Sequence, residues 1–242
     1  MTTLSDFSTL SNRRVGEIAA ATPVTIRVFQ RHGIDFCCGG KLPLAEACAK
    51  HGVALVQVER EIAQALAPSA DERDWSRVPL RDLTSHIFTR YHDGLRAEMP
   101  RLEQMAAKVD ERHGERYPDQ FPEVPALLQR LWREFLPHLR EEESAIFPLI
   151  ERLDEEPGAG DAALTERIGA LEADHQSSGE VLARLRVVTH DFTPPEGACN
   201  TFRGLYAGLA ELEREVQMHV HLENNVLFPR AAQRLAMANA PA

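Results

Sequence analysis

One short phrase occurs twice in this chain. His138-Leu139-Arg140-Glu141-Glu142 leads to Phe147-Pro148, and His219-Val220-His221-Leu222-Glu223 leads to Phe228-Pro229. In both copies the His stands four residues before the Glu, and the Pro stands ten residues after the His. Positions i and i+4 of a helix lie one turn apart, with about 5–6 Å between Cβ atoms. Each phrase therefore aims an imidazole and a carboxylate at one point, and two such pairs facing each other make a site for metal.

Further histidines fit the same plan. His92 lies 46 residues before His138, and His175 lies 44 before His219. Each half thus reads as a segment with one lone His followed by a segment with His-x3-Glu, a pseudo-two-fold arrangement with a symmetric centre. These six residues interrupt apolar stripes at helical spacing. A carboxylate buried in such a stripe is costly unless it is paired or binds a cation. His92, His138, Glu142, His175, His219 and Glu223 are therefore the candidate ligands. Helix phase sends His86, His221, Glu141 and Glu143 elsewhere, towards solvent, and His113 and His190 fall near segment ends.

Four imidazoles and two carboxylates exceed the closed tetrahedral set of a structural zinc. Imidazole suits iron, and carboxylates can bridge two ions. The expectation is two non-haem iron ions, each held by two His, with both Glu bridging and an oxo or hydroxo bridge filling an open position. A ferritin-type centre, with Glu-x-x-His on two helices, fits less well because only Glu172-x-x-His175 matches.

Four amphipathic segments must position these ligands: about 79–108, 122–153, 161–189 and 197–236. Leu128, Leu131, Phe135, Ile146, Leu149 and Leu153 follow helical periodicity in the second. Breaks at Pro118, Pro122 and Pro125, at Pro157-Gly158 and at Pro194-Pro195 separate the segments. The expected fold is all-α: a small N-terminal helical domain over 1–70, then an up-down-up-down four-helix bundle over 79–236. In the small domain Thr22-Pro23 reads as a helix start and Gly33 as its stop. Helical patches follow at about 43–51 and 55–66. The stretch Ala67 to Asp74 reads as a linker that lets the two units move.

Composition agrees. Aromatics are 6% of 242 residues and the net charge is −10, which argues against a nucleic-acid surface. No apolar run reaches the roughly 18 residues of a membrane span, and the polar N-terminus lacks a secretion signal. A cytoplasmic protein is expected, and a homodimer is left open. Cys48 reads as core, and Cys199 as a helix start without chemistry. Cys37 and Cys38 adjoin in a Gly-rich loop near Lys41. A cation and free backbone N–H groups would favour thiolate there, making the pair a candidate for redox work or metal transfer.

The loop Asp35-Phe36-Cys37-Cys38-Gly39-Gly40-Lys41, the run Arg90-Tyr91-His92-Asp93, and the ending His219-x3-Glu223-Asn224-Asn225 with Phe228-Pro229 resemble the Repair of Iron Centres family. The resemblance spans about 15–229. It implies a short cysteine-bearing domain joined to a hemerythrin-like di-iron bundle, with ligands on the same six residues. It also implies a role in restoring iron–sulfur clusters damaged by nitric oxide or peroxide, with cluster-carrying client proteins as partners and iron donation as the activity. The alternatives are reduction of nitric oxide to nitrous oxide, scavenging, or storage of nitric oxide or dioxygen as a bound ligand. Glu134, one turn before His138, and Asp174, beside His175, are acids that would orient a ligand or carry protons.

Overall fold

The computed structural model describes residues 10–65, 75–118, 123–156 and 162–237. The linker expected before Asp74 lies outside these residues. Among them the chain is helical with no strand, apart from one isolated backbone bridge between Arg14 and Pro43. The first unit holds α1 (Val15–Ala21), α2 (Ile26–Arg31), α3 (Leu44–Lys50) and α4 (Leu55–Ala65). Their apolar sides enclose a core of Val15, Ile18, Phe29, Ile34, Phe36, Leu44 and Val58, together with Cys48 as expected. Gly33, at φ 63°, ends the α2 segment in the left-handed region that glycine adopts without Cβ strain. Thr22 differs from expectation. Its side chain caps nothing, and Pro23–Thr25 form a short tight turn before α2 begins.

Four rods form the bundle. The first is α5 (Leu80–Ile87) running on into α6 (Asp93–His113), and the second is α7 (Glu123–Glu141) running on into α8 (Phe147–Glu155). The third is α9 (Ala162–Val188), and the fourth is α10 (Asn200–Leu222) continued by α11 (Phe228–Ala236). Side-chain pairs fix the directions. Thr84 bonds Glu151 and Arg96 bonds Glu143, whereas Arg184 bonds Glu123 and Arg130 bonds Ser177. Arg90 bonds Glu215, while Arg230 reaches back to the Trp75 and Val78 carbonyls. Rising numbers meet falling numbers in each pair, so neighbouring rods are antiparallel, up-down-up-down. No helix among the described residues is long and apolar enough to cross a membrane.

Three rods contain one wide, π-helical turn: Phe88–His92, Glu142–Ile146 and Glu223–Leu227. The last two come just before Pro148 and Pro229. A proline has no N–H and its ring crowds the carbonyl four residues back, which disturbs the regular ladder at that point. A single widened turn absorbs the defect, and such turns cluster at functional sites. Each wide turn here carries one of the candidate ligands: His92, Glu142 or Glu223.

The apolar filling of the bundle is split in two. Leu102, Leu128, Leu131, Phe202 and Leu209 belong to one cluster, and Leu83, Ile87, Ile150, Leu227 and Phe228 to the other. Phe88 is 38% exposed; it opens the first wide turn, where the helical phase shifts.

The small unit does not stand apart from the bundle, as the linker composition led one to expect. Asn225 donates to the Phe36 carbonyl (3.2 Å), Cys38 Sγ donates to the His175 carbonyl (3.2 Å), and Lys41 pairs with Glu172 (2.8 Å). Asn225 fits against two glycines. A Cβ on Gly16 would stand 2.0 Å from Asn225 Oδ1, and one on Gly40 would stand 2.6 Å from the Phe36 carbonyl oxygen. Overpacking of this kind costs about 1–3 kcal/mol. Gly16→Ala should therefore lower the urea midpoint of the whole chain. Gly169→Ala, where nothing lies within 4 Å, should leave it level or raise it slightly. Equal midpoints for the two variants would contradict this contact.

Candidate metal centre

The six expected ligands meet in the middle of the bundle. His92, His138, Glu142, His175, His219 and Glu223 are all buried, with relative exposures of 0–4%. They form two overlapping groups: His92, Glu142, His219 and Glu223, and His138, Glu142, His175 and Glu223. Within each group the ligand atoms lie within 4.8 Å of one another. His92 Nε2 faces His219 Nε2 at 3.1 Å, and His138 Nε2 faces His175 Nε2 at 2.9 Å.

The carboxylates span the two histidine pairs. Glu142 sets Oε1 3.3 Å from His138 Nε2 and Oε2 3.5 Å from His92 Nε2. Glu223 sets Oε1 2.9 Å from His219 Nε2 and Oε2 3.2 Å from His175 Nε2. Each acid thus presents one oxygen to each pair.

Buried polar atoms are normally hydrogen-bonded, yet both oxygens of Glu142 and Oε2 of Glu223 make no hydrogen bond among the described residues. Leaving such atoms unmet is expensive, and a cation is the partner that their charge and convergence call for. The spacing fits as well. Imidazole nitrogen binds first-row ions at roughly 2.0–2.1 Å, so two nitrogens at right angles on one ion lie about 3 Å apart. The donor set of imidazole and carboxylate suits iron.

The outer nitrogens of three histidines are anchored. His92 Nδ1 donates to Glu143 Oε1 (2.7 Å), and Arg96 grips that carboxylate at 2.7 and 2.8 Å. His175 Nδ1 donates to Asn224 Oδ1 (2.8 Å), and His138 Nδ1 donates to Asp174 Oδ2 (3.3 Å). Holding the proton on Nδ1 leaves the Nε2 lone pair facing inwards, the arrangement a metal-binding imidazole needs. His219 Nδ1 has no hydrogen bond among the described residues; the ring lies parallel to Tyr91, with centroids 5.9 Å apart.

Burial drives the His219 pKa down. Burial also opposes charging of Glu223, but the neighbouring His219, His175 and His92 outweigh it and hold the carboxyl well below its ordinary range. A carboxylate that stays ionised while buried is primed for a cation.

Several residues behave differently from their sequence reading. Glu143, assigned to solvent, is the acid that holds His92. His221, also assigned to solvent, is 1% exposed, edge-on to Phe36 and bonded to Asn225 (3.2 Å), beneath the small unit. Glu134 lies on Arg130 (2.8 Å) and Ser177 (3.1 Å), and bonds no site histidine among the described residues. Asp174, adjacent in sequence to His175, reaches His138 instead.

The cysteine loop is also arranged differently. Lys41 is taken by Glu172. The backbone N–H groups of Cys37 and Cys38 both donate to Asp35 Oδ1, at 3.1 and 3.0 Å, and Cys37 Sγ donates to it at 3.2 Å. The adjacent Cys38 sulfur, burial and the Asp35 charge together push the Cys37 thiol well above its ordinary range. These surroundings oppose a thiolate at Cys37 rather than favouring it. The two sulfurs lie 3.9 Å apart, unbridged, and with Asp35 they form a third group of converging donors.

Comparisons with known proteins agree with this architecture. Residues 83–231 match the hemerythrin HHE cation binding domain, and residues 11–66 match ScdA_N, a domain of unknown function. The chain is 41% identical over 224 residues to the iron-sulfur cluster repair protein YtfE of Edwardsiella ictaluri, covering 92% of this chain and 98% of that one. Its identity to the proteins of the same name from Yersinia pseudotuberculosis and Yersinia pestis is 39% over 224 residues, covering 91% of this chain and 96% of theirs. With a small domain and a helical bundle both matched, and relatives aligned from end to end, the chain belongs to the YtfE family of iron-sulfur cluster repair proteins, built on a hemerythrin-type cation-binding bundle.

Proposed function

We propose that the chain binds two non-haem iron ions, one at each histidine pair, and supplies ferrous iron to damaged iron–sulfur clusters of client proteins. The observation that carries this reading is the pair of buried carboxylates, each presenting one oxygen to both histidine pairs. The relatives are named for cluster repair, and a mixed His/Glu site without thiolate suits an ion that must leave again. His92, His138, Glu142, His175, His219 and Glu223 would hold the ions, which when bound would supply the ferrous iron that rebuilding of a cluster consumes.

The chain's own residues do the rest. Glu142 and Glu223 compensate the charge, and Glu143, Asp174 and Asn224 hold three of the imidazoles in the ligating tautomer. The surrounding rings of Phe135, Phe147 and Phe228 exclude water. Turnover of nitric oxide would draw on an acid such as Glu134, which is instead tied to Arg130 and Ser177; this favours the donor reading. The test is reactivation of a nitrosylated cluster enzyme by the iron-loaded protein, with His138→Ala as control. Rescue that exceeds free ferrous iron at matched concentration, and that fails with the variant, supports the reading. Rescue equal to free iron would remove it.

Proton balance gives a second check. In the metal-free chain burial works against a charge on His138, but Glu142 and Glu223 outweigh it and carry the pKa to about 9. Below that pH the ring holds a proton, which an ion must displace. Ion affinity should therefore fall as pH is lowered, and loading at pH 7 should release a proton from His138. That release should fade as the pH passes through about 9. A pH-indicator titration of the apo protein reads it directly, and proton uptake on loading would contradict the charge assignment.

A further inference from the structure

The two halves of the centre are supported very differently. His92 is held at 2.7 Å by Glu143, whose side chain is 21% exposed and gripped twice by Arg96. His138 is held at 3.3 Å by Asp174, whose side chain is 62% exposed and, among the described residues, bonded to no cation that would fix it. An exposed acid at this distance is screened by water and restrains the ring weakly. His175 depends on a neutral amide, Asn224.

The small unit also bonds directly to the His138–His175 half. Cys38 Sγ donates to the main-chain carbonyl of His175 itself, and Lys41 pairs with Glu172, one turn before His175 on α9. One turn after His175, Gly179 lies alongside the cysteine: a Cβ there would stand 3.4 Å from Cys38 Sγ, an ordinary contact distance. Glu172, His175 and Gly179 form one stripe of α9, and the cysteine loop lies along it. A single wide turn joins the parts: Glu223 faces both histidine pairs, Asn224 holds His175, and Asn225 docks the loop.

We propose that the two ion positions are inequivalent. The ion at His138 and His175 is the exchangeable one, and the Lys41–Glu172 pair, by seating the cysteine loop on His175, sets how fast it leaves. This rests on the di-iron reading above. Lys41, Glu172 and Asp174 are positioning residues for the His138–His175 half, and Glu143 is one for the other half. No electron moves in the exchange: a ferrous ion trades imidazole and carboxylate ligands for those of the acceptor.

The test uses the full chain, loaded anaerobically with ferrous iron and mixed with excess ferrozine, with absorbance followed over time. Two phases of one ion each are expected. Lys41→Glu changes an exposed residue, so the fold is kept. It should speed the faster phase five- to tenfold and leave the slower within twofold, and adding Glu172→Lys should restore the original rate. Asp174→Asn should speed the faster phase, and Glu143→Gln the slower. Mössbauer spectra of the iron left after the first phase should show one of the two original doublets. A single phase for both ions would overturn the inference. So would an equal effect of Lys41→Glu on both phases, an absent charge-swap rescue, or reversed assignments of Asp174 and Glu143. Fewer than two ions at the outset would instead overturn the di-iron reading beneath it.

Discussion

Glu223→Gln should leave a folded protein that loses both ions, whereas His138→Ala should lose one. Glu223 belongs to both four-residue groups, so its charge serves both positions. His138 belongs to one group alone. Glutamine keeps the size and one acceptor oxygen but removes the negative charge that offsets a divalent cation in a water-poor core. Substituting a residue that merely orients a ligand costs about 10- to 100-fold in affinity; loss of the shared charge should exceed that at both positions. Glu142→Gln should behave as Glu223→Gln does. Iron per chain, measured after anaerobic reconstitution and desalting, reads the outcome. One ion retained by the Glu223 variant would show that the two positions do not share this acid.

The second large effect is on stability. Without a cation the bundle buries two carboxylates and four imidazoles, with three carboxylate oxygens and one ring nitrogen lacking any hydrogen bond among the described residues. This cost falls on the folded state alone, because in the unfolded chain water solvates the same groups. Ions that bind only the folded chain stabilise it by mass action, by about 4 kcal/mol at a thousand times Kd. For a chain of this size each kcal/mol moves Tm by roughly 2–4 °C. Stripping the loaded protein with a chelator should then lower Tm by about 8–16 °C for each ion removed. The drop should be much smaller in Glu223→Gln, which has less to lose. Equal melting of loaded and stripped wild type would argue that the six residues hold no ion.

The candidate ligands were legible because helix phase is a strong signal: two His-x3-Glu phrases and two lone histidines each interrupt an apolar stripe at the core-facing angle. The supporting residues were not, for identifiable physical reasons. His221 lies two residues from His219, about 200° around a helix, and an opposite face normally meets water; here it meets Phe36 of the small unit. Glu143 seemed about 100° off the site, but the wide Glu142–Ile146 turn advances less per residue and brings it under His92. The prolines ten residues after each His were the visible trace of two wide turns; the one at Phe88–His92 has no such mark.

The cysteine loop shows the limit of local reading. Lys41 is four residues from Cys37 and seemed its natural cation, yet its partner is Glu172, 131 residues away. Asp35 uses the backbone N–H groups that were expected to favour thiolate. Linker composition also pointed to separate units. Docking depends on Gly16 and Gly40 making room for Asn225, which composition does not reveal.

The most direct measurement is anomalous diffraction at the iron edge from a crystal of the loaded protein. Two peaks are predicted, one between His92 and His219 and one between His138 and His175, with Glu142 and Glu223 reaching both. A single peak, or iron bound only at Asp35, Cys37 and Cys38, would contradict the shared two-ion centre.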